Sequence, residues 1–410
     1  MTKDNNKIGI VGLGYVGLPL FCWFSHEYEC WGIDNDVQRI KMLQTGIDMR
    51  KCLEEQELSY ALQYSHITND WNDLTHCNIF IVAVPTPVDK EKRPDFTHLE
   101  EACKAVGNIL SRENIVIFES TVYPGTTDEI CIPILEKTSG LVLNKDFSVA
   151  YSPERINVGD KIHRLDNVPK IVSASNQQTL GFVADLYGSV INAEIVHASN
   201  IKVAEAAKMY ENVQRDVLIA LANQYSDYCR EEGIDIQEVT DCAATKWNFS
   251  NVRPGLVGGH CIGVDAYYLL KRSTQKKVNL PLVKTARFIN ENKALQVSNR
   301  IIAYAQSISI DTKKIKILIL GFSYKANTPD VRNTMIATIV KSLYGSFEIV
   351  DCFDPLVDNH EVELRYGIHM LNPDQLQLDK YAIIVKAVNH DVFEKYIGSL
   401  PIMVDIKVFL

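Results

Sequence analysis

Short apolar runs alternate with stretches of helical periodicity through the first half of the chain. Runs of this kind lie at Ile8–Val11, Cys30–Ile33, Ile79–Val84 and Ile115–Phe118. Each has the length of a buried strand, and a charged helical stretch begins near Asp36 after the second run. This alternation is typical of βαβ units around a parallel sheet.

The pattern changes near Asn200. One long helix is predicted from Asn200 to Glu232, with Gly233 at its carboxyl stop, and a second from Leu282 to Gln306. Strand-like runs then return at Ile315–Leu320, Glu348–Asp351, Ala382–Val388 and Ile402–Ile406. We therefore predict an α/β protein with two Rossmann-like doubly wound domains, joined by a helical central domain with a long linking helix. We place the domains at residues 1–198, 199–306 and 307–410.

Composition narrows the class of protein. The 410 residues are 46% hydrophobic and 23% charged, which is typical of a globular chain, and the net charge is −9. An acidic total disfavours nucleic acid and anionic membranes as partners. The apolar runs are far shorter than the ~18–20 residues that span a bilayer, and the first residues lack the pattern of a signal peptide. We expect a cytoplasmic protein.

Ten cysteines are scattered along the chain without a C-x-x-C pair, so a metal site lacks its usual ligand spacing. We expect no metal, and we expect most cysteines to be small core residues.

A glycine-rich turn follows the first strand directly. In Gly12-Leu13-Gly14-Tyr15-Val16-Gly17 the three glycines suit a tight turn, close approach of a pyrophosphate, and close packing of helix on strand. Asp34 ends the next strand, where a carboxylate binds a ribose 2′-OH and repels a 2′-phosphate. The pair of signals predicts a dinucleotide site that favours NAD, although Arg39 is near enough in sequence to meet a phosphate.

A polar stripe interrupts the otherwise apolar helix that begins at Asn200. Glu205, Lys208, Asn212 and Arg215 follow one another at steps of three, four and three, and therefore share a face. One interpretation is a structural ion pair between Glu205 and Lys208. The other is a Lys–Asn pair that lines a cleft and stabilises an oxyanion.

The segment Arg253–Asp265 places four glycines around one cysteine. Such a loop suits close approach of the backbone to a ligand, and Cys261 could attack a carbonyl carbon as a thiolate. Asp265 follows four residues later, where it can orient a water or an ammonium. A Cys–His dyad with His260 is not expected, because adjacent side chains usually point apart.

Seven motifs occur in the order that the nucleotide-sugar (UDP-sugar) 6-dehydrogenase family shows, and the whole chain resembles that family. They are Gly12–Gly17, Val84–Pro87, Ser120–Thr126, Ser152–Ile156, Lys208 with Asn212, Gly258–Cys261 with Asp265, and Tyr324–Lys325 with Asp330–Arg332. Members of this family use NAD to oxidise a sugar CH₂OH to a carboxylate.

Lys246–Phe249 and Arg253–Cys261 resemble the branch of the family that acts on UDP-N-acetylhexosamines. Two positions depart from the family pattern. Ala266 stands where that branch commonly has Pro. Lys407 stands where UDP-glucose enzymes tend to have Arg, which leaves open a contact with substrate across a subunit boundary.

The resemblance implies a covalent mechanism. Cys261 would add to the aldehyde made by the first oxidation, and a second oxidation would give a thioester that water hydrolyses. Lys208 and Asn212 would stabilise the oxyanion, and Asp265, with Thr121, would position a proton relay or water. Glu154 would serve as general base.

The resemblance also implies two sets of binding residues around a cleft between the two α/β domains. The cofactor set is Gly12, Gly14, Tyr15, Val16, Gly17, Asp34, Arg39, Val84, Pro85, Thr86, Ser120, Thr121 and Arg332. The UDP-sugar set is Glu154, Arg155, Asn157, Lys208, Asn212, Arg253, Gly255, Gly258, Tyr324 and Lys325.

The function expected is NAD-dependent, four-electron oxidation of UDP-GlcNAc or UDP-GalNAc at C6 for surface polysaccharide. The alternatives are a UDP-ManNAc or UDP-glucose 6-dehydrogenase, a two-electron hydroxyacid dehydrogenase of the same plan, and an NAD-binding sensor without turnover. Apolar residues along Leu282–Gln306 (Leu282, Ala286, Ile289, Leu295 and Ile301) predict a homodimer through that helix.

Overall fold

A computed structural model describes residues 6–50, 53, 55–155, 167–308, 311–397 and 403–410. These residues divide into two compact units, one of residues 1–211 with 267–276 and the other of residues 212–266 with 277–410. Among them, no helix is long and apolar enough to cross a bilayer.

The first unit is built on an eight-stranded sheet. Its strands are β1 (Lys7–Val11), β2 (Glu29–Ile33), β3 (His66–Thr68), β4 (Ile79–Val82), β5 (Ile115–Phe118), β6 (Ser148–Tyr151), β7 (Lys170–Ala174) and β8 (Ile195–His197). They lie in the order β3-β2-β1-β4-β5-β6-β7-β8, and all neighbours are parallel except β6 and β7. The order reverses between β1 and β4, which is the switch point where doubly wound sheets bind ligands.

Helices cover both faces of this sheet. They are α1 (Gly17–Phe24), α2 (Val37–Gln44), α3 (Glu55–Ala61), α4 (Thr97–Ile109), α5 (Ile132–Ser139) and α6 (Gln177–Gly188). One apolar core packs Ile8 and Ile10 of β1 against α1 and α6, and the other packs Val11 and Phe80 against α4 and α5. Strands buried on both faces explain the continuous apolar runs of the sequence.

Two further helices contribute residues to both units. They are α7 (Ile201–Glu231) and, after α8 (Ile236–Ala244) of the second unit, α9 (Ile262–Gln275). Gly233 follows α7 with a φ of +71°, which confirms the predicted stop.

The second unit holds α10 (Pro281–Ser307) and a four-stranded parallel sheet. Its strands are β9 (Lys316–Leu320), β10 (Ile349–Phe353), β11 (Ile383–Lys386) and β12 (Met403–Asp405), in the order β10-β9-β11-β12. The remaining helices are α11 (Met335–Leu343), α12 (Asn359–Tyr366) and α13 (Glu394–Ile397). The two α/β parts and the helical middle confirm the predicted fold class.

The predicted apolar stripe of α10 is divided between two environments. Ala286 and Ile301 are buried in the second unit, whereas Leu282 and Leu295 are 67% and 45% exposed. Phe288, which the stripe did not include, is 68% exposed.

Candidate active site

The glycine-rich turn sits where β1 ends. Gly12 has a φ of +91°, and a Cβ there would lie 2.8 Å from the carbonyl oxygen of Ala83. A Cβ on Gly17 would meet the carbonyl oxygen of Gly12 at 1.8 Å, so the start of α1 packs directly on the turn. At Gly14, by contrast, the Arg50 guanidinium, 3.8 Å away, is the one group among the described residues within 4 Å of such a Cβ. The backbone is therefore open to a ligand at this residue, as the approach of a pyrophosphate requires.

Two charged residues brace the turn. One carboxylate oxygen of Asp34 accepts the Leu13 N–H at 2.8 Å, and the other accepts the Asp36 N–H at 3.0 Å. Arg39 is buried, donates from Nε to the Leu13 carbonyl at 2.6 Å, and pairs with Asp48 at 3.3 Å. Asp34 is thus oriented at the end of β2, and Arg39 supports the turn from within. The turn, its open Gly14 and Asp34 fit NAD.

The loops after β4 and β5 are bonded to each other at the same edge of the sheet. Ser120 Oγ donates to the Val84 carbonyl, and Thr86 Oγ1 donates to the Thr121 carbonyl, both at 2.7 Å. The structure therefore brings Val84, Pro85, Thr86, Ser120 and Thr121 together, as the cofactor set requires.

Glu154 follows β6 and belongs to a buried cluster that the sequence analysis missed. Lys170 Nζ lies 2.6 Å from Glu119 Oε2 and 3.5 Å from Glu154 Oε2, and it also donates to the Pro153 carbonyl at 3.2 Å. Tyr187 donates its hydroxyl to the other oxygen of Glu119. Burial raises the pKa of Glu119 to about 7, against the lowering effect of Lys170. Two carboxylates therefore share one ammonium in a buried cluster.

The side chain of Arg155 is held by contacts within the first unit. Its guanidinium donates to the Pro169 carbonyl at 2.8 Å and pairs with Glu211 at 2.6 Å. Asn157, the next member of the predicted UDP-sugar set, lies outside the described residues.

Helix α7 carries the polar stripe. The buried carboxylate of Glu205 accepts the Gly125 N–H at 2.5 Å, and the Thr127 N–H and hydroxyl at 2.9 and 2.7 Å. Burial raises the pKa of Glu205 to about 7. In the part of the chain that the structure describes, Glu205 and Lys208 form no ion pair, so that interpretation is not supported. Lys208 is only 7% exposed, and the last member of the stripe, Arg215, is exposed.

Cys261 stands at the start of α9. Its carbonyl accepts the Val264 and Asp265 N–H groups, both at 2.9 Å, and its side chain is partly exposed. The carboxylate of Asp265 is buried and accepts the Asn212 side-chain amide at 2.5 Å. The second unit thus joins Asn212 and Asp265 one helical turn from the thiol.

The expectation that His260 points away from Cys261 is wrong. The Cys261 Sγ and His260 Nδ1 atoms are 3.1 Å apart. Gly259 has a φ of +78°, and a helix begins two residues after His260, so the chain turns here instead of continuing as an extended strand. Alternation of side chains holds for strands, and this turn brings the two neighbours to the same side.

The glycines of the cysteine loop make room for other parts of the second unit. A Cβ on Gly258 would lie 2.9 Å from the Asn333 carbonyl, and one on Gly259 would lie 2.8 Å from the Tyr324 ring. Gly255 exchanges backbone hydrogen bonds of 3.0 Å with the Asn223 amide. Arg253 pairs with Asp241 at 2.5 Å. Tyr324 therefore packs against the loop that carries Cys261, and burial raises its pKa.

A cavity of about 210 Å³ lies at the carboxyl ends of β9 and β11. Tyr324, Lys325 and Gly258 contribute to its lining, together with the first residues of α11. His390, which follows the lining residue Asn389, accepts the Asn327 N–H at 2.9 Å and lies 3.0 Å from the buried carboxylate of Asp354. Arg332 forms a two-pronged pair with Asp330, with its closest approach at 2.6 Å.

Comparisons with known proteins assign three successive parts of the chain to domains of one family. Residues 6–191, 202–292 and 318–410 match, in turn, the NAD binding, central and UDP binding domains of a family described as UDP-glucose/GDP-mannose dehydrogenase.

Individual relatives cover nearly the whole chain. A UDP-N-acetyl-D-glucosamine 6-dehydrogenase of Salmonella typhi is 44% identical over 97% of this chain and 92% of its own. A protein of the same name from Pseudomonas aeruginosa is 42% identical over 95% and 91%. The solved structure of a UDP-D-ManNAc dehydrogenase from Pyrococcus horikoshii superimposes with a TM-score of 0.87 at 29% identity, covering 98% of this chain and 96% of its own.

Proposed function

The chain belongs to the UDP-glucose/GDP-mannose dehydrogenase family, and we propose that it oxidises C6 of a UDP-N-acetylhexosamine to the carboxylate in two NAD-dependent steps. The observation that carries the proposal is the partly exposed Cys261 thiol at the start of α9, one turn from the Asn212–Asp265 pair. A two-electron hydroxyacid dehydrogenase needs no such nucleophile, because its reaction stops at the carbonyl.

The proposed roles follow from the chemistry of each group. When bound at the glycine-rich turn, NAD accepts the hydride of each oxidation. Cys261 adds to the aldehyde as a thiohemiacetal, which the second oxidation converts to a thioester. Lys208 and Asn212 stabilise negative charge on the C6 oxygen, and Asp265, held by Asn212, orients the water or proton relay together with Thr121. Glu154 acts as general base on the water that hydrolyses the thioester.

Binding of the nucleotide is assigned to the second unit. Tyr324 and Lys325 line the cavity at the strand ends, where Lys325 supplies positive charge to a diphosphate. Arg253, Gly255, Gly258, Arg155 and Asn157 complete the proposed UDP-sugar set, and Arg332 completes the cofactor set.

GlcNAc and GalNAc are the proposed sugars. Two relatives above 40% identity are named UDP-N-acetyl-D-glucosamine 6-dehydrogenases, which supports an N-acetylated substrate. The product keeps its UDP leaving group, so it is suited to be a glycosyl donor for surface polysaccharide.

A panel of UDP-sugars assayed with NAD tests the function. We expect two NADH per UDP-GlcNAc or UDP-GalNAc consumed, and an acid as product. One NADH per sugar with a carbonyl product would reject the proposal.

A pair of cysteine variants tests the nucleophile. Cys261→Ser is expected to abolish acid formation, whereas Cys242→Ser, which alters an exposed cysteine on α8, is expected to retain it. Acid formation at an unchanged rate by Cys261→Ser would exclude the covalent step.

We also propose a homodimer, a cytoplasmic location and the domain boundaries 1–198, 199–306 and 307–410. Leu282, Phe288 and Leu295 present exposed apolar area along α10, which supports association through that helix. The cysteines of the described residues are all free thiols, as a reducing compartment keeps them. Sedimentation as a monomer at working concentration would reject the dimer.

A further inference from the structure

His260 is placed to exchange a proton with the reactive sulfur. Its Nδ1 atom lies 3.1 Å from Cys261 Sγ, and its Nε2 atom lies 3.8 Å from Asp330 Oδ2. A carboxylate on the Nε2 side favours a proton on that nitrogen, which leaves the lone pair of Nδ1 facing the thiol. The ring is therefore arranged as a base toward Cys261.

Asp330 is suited to hold this arrangement. Its side chain is 3% exposed, and Arg332 donates to both of its oxygens. Although burial raises the pKa of Asp330, the hydrogen bonds and charge of Arg332 bring it below the ordinary value. At 3.8 Å the contact of Asp330 with Nε2 is longer than a hydrogen bond, so the carboxylate acts on the ring through its negative charge.

Titratable and charged side chains of the second unit lie around the imidazole. The Tyr324 ring meets the His260 ring edge-on, with centroids 6.3 Å apart. Titratable and charged groups that face His260 within the described part of its unit include Cys261, Asp330, Arg332 and Tyr324. Arg332 is engaged with Asp330, so the charge nearest to His260 is negative and favours the imidazolium that forms on proton transfer.

We propose that His260 is the catalytic base for Cys261 and that Asp330 is the residue that positions it. This inference rests on the proposed function, in which Cys261 is the nucleophile. As the S–C6 bond forms, the thiol proton passes to Nδ1 and the carbonyl π pair moves to the C6 oxygen. That oxygen then takes the proton, so the product is a neutral thiohemiacetal.

His260 also serves the release of the acid, as the group that protonates the departing sulfur. Glu154 takes one proton of the water that bonds to C6 of the thioester and passes it to solvent, and His260 delivers a proton from solvent to the sulfur as the C–S bond breaks. The other water proton leaves with the carboxylic acid, so atoms and charge balance over the cycle.

Alkylation of Cys261 by iodoacetamide between pH 5 and 10, quantified on its peptide by mass spectrometry, tests the proposal. His260→Asn is expected to move the midpoint of the alkylation profile upward by about one pH unit, which is roughly a tenfold slower reaction at a fixed pH below it. Asp330→Asn is expected to move it upward by less. His360→Asn, which changes an exposed histidine on α12, is the matched control and is expected to leave the profile unchanged.

Kinetics give a second readout that a structural role would not produce. His260→Asn is expected to retain the first NADH-forming step on the UDP-sugar and to slow the second, so that the aldehyde accumulates. An alkylation profile identical to that of the unmodified enzyme, or equal slowing of both steps, would overturn the proposal. If His260→Asn does not fold, the alkylation profile of Asp330→Asn decides, and no upward shift there would also overturn it.

The alkylation experiment needs no substrate, so its result is separate from the proposed function. Failure of the unmodified enzyme to oxidise any UDP-sugar would remove that function, whereas an unshifted profile in an active enzyme would remove only the role of His260.

Discussion

Lys170 is predicted to stabilise the first unit by an amount that depends strongly on pH. Its ammonium is the one positive charge beside the buried carboxylates of Glu119 and Glu154 in the described part of this unit. Lys170→Met removes that charge while keeping most of the side-chain volume. Removing one partner of a buried ion pair costs about 3–5 kcal/mol, because the other charge is left without compensation.

The titration of Glu119 sets the pH dependence. Burial raises the pKa of Glu119 from 4.5 to about 7 even with Lys170 present. Between these values the folded protein binds more protons than the unfolded chain, so the free energy of unfolding falls as pH rises through that window. A shift of this size corresponds to about 3 kcal/mol.

Loss of Lys170 extends this decline. Without the nearby ammonium, which lowers it, the pKa of Glu119 rises further, and stability keeps falling above pH 7. We therefore expect Lys170→Met to lower the free energy of unfolding by about 3–5 kcal/mol at pH 8.5. At pH 5.5, where Glu119 is protonated in the folded variant, we expect a clearly smaller decrease.

Urea unfolding followed by tryptophan fluorescence at the two pH values measures the effect. Lys202→Met is the matched control, because Lys202 pairs with Asp128 at the surface, with side chains 54% and 40% exposed. The Lys202→Met substitution is expected to lower the free energy of unfolding by less than about 1 kcal/mol, and equally at both pH values. An equal loss at both pH values for Lys170→Met would refute the coupling between Lys170 and Glu119.

Three further predictions concern the two binding sites. Gly12→Ala forces a Cβ against the Ala83 carbonyl and should weaken NAD binding about tenfold or more by calorimetry, whereas Gly140→Ala, with open space around its Cβ, should leave it unchanged. Asp34→Ala should reduce the kcat/KM preference for NAD over NADP by about tenfold, because a charged hydrogen-bond acceptor for the ribose is lost. His390→Phe removes the acceptor for the Asn327 N–H and should weaken UDP binding without changing NAD binding; equal loss of both would contradict the assignment of the cavity.

Most of the fold follows from the sequence because its signals are local. Continuous apolar runs such as Ile79–Val82 have buried strand length, and Gly233 marks the end of α7 by a conformation that other residues avoid. The sequence pattern does not separate the exposed face of α10 from its buried face. Ala286 is covered by its own unit and Leu282 is not, and only the packing of the second unit decides which apolar residue is covered.

The candidate site likewise contains residues that local motifs predict and residues that only the fold brings together. Gly12, Asp34 and Cys261 stand in motifs whose spacing carries their chemistry. Lys170 and Glu119 are 51 residues apart and meet only because β5, β6 and β7 are neighbours in the sheet. A Glu directly after an apolar strand was the one local signal for this cluster. The contact of His260 with Cys261 was missed for a different reason, because a positive φ at Gly259 changes the direction in which adjacent side chains point.

The acidic composition of the chain is compatible with two phosphate-bearing ligands because helix ends supply much of the positive potential. The glycine-rich turn leads into the amino end of α1, and the amino end of a helix carries a positive potential that suits phosphate groups. In the second unit, Thr334 caps α11, and the first residues of that helix line the cavity together with Lys325. Lys325 is the one formally charged side chain among the described residues that line it. Backbone N–H groups carry no formal charge, so a net charge of −9 does not measure the potential at either site.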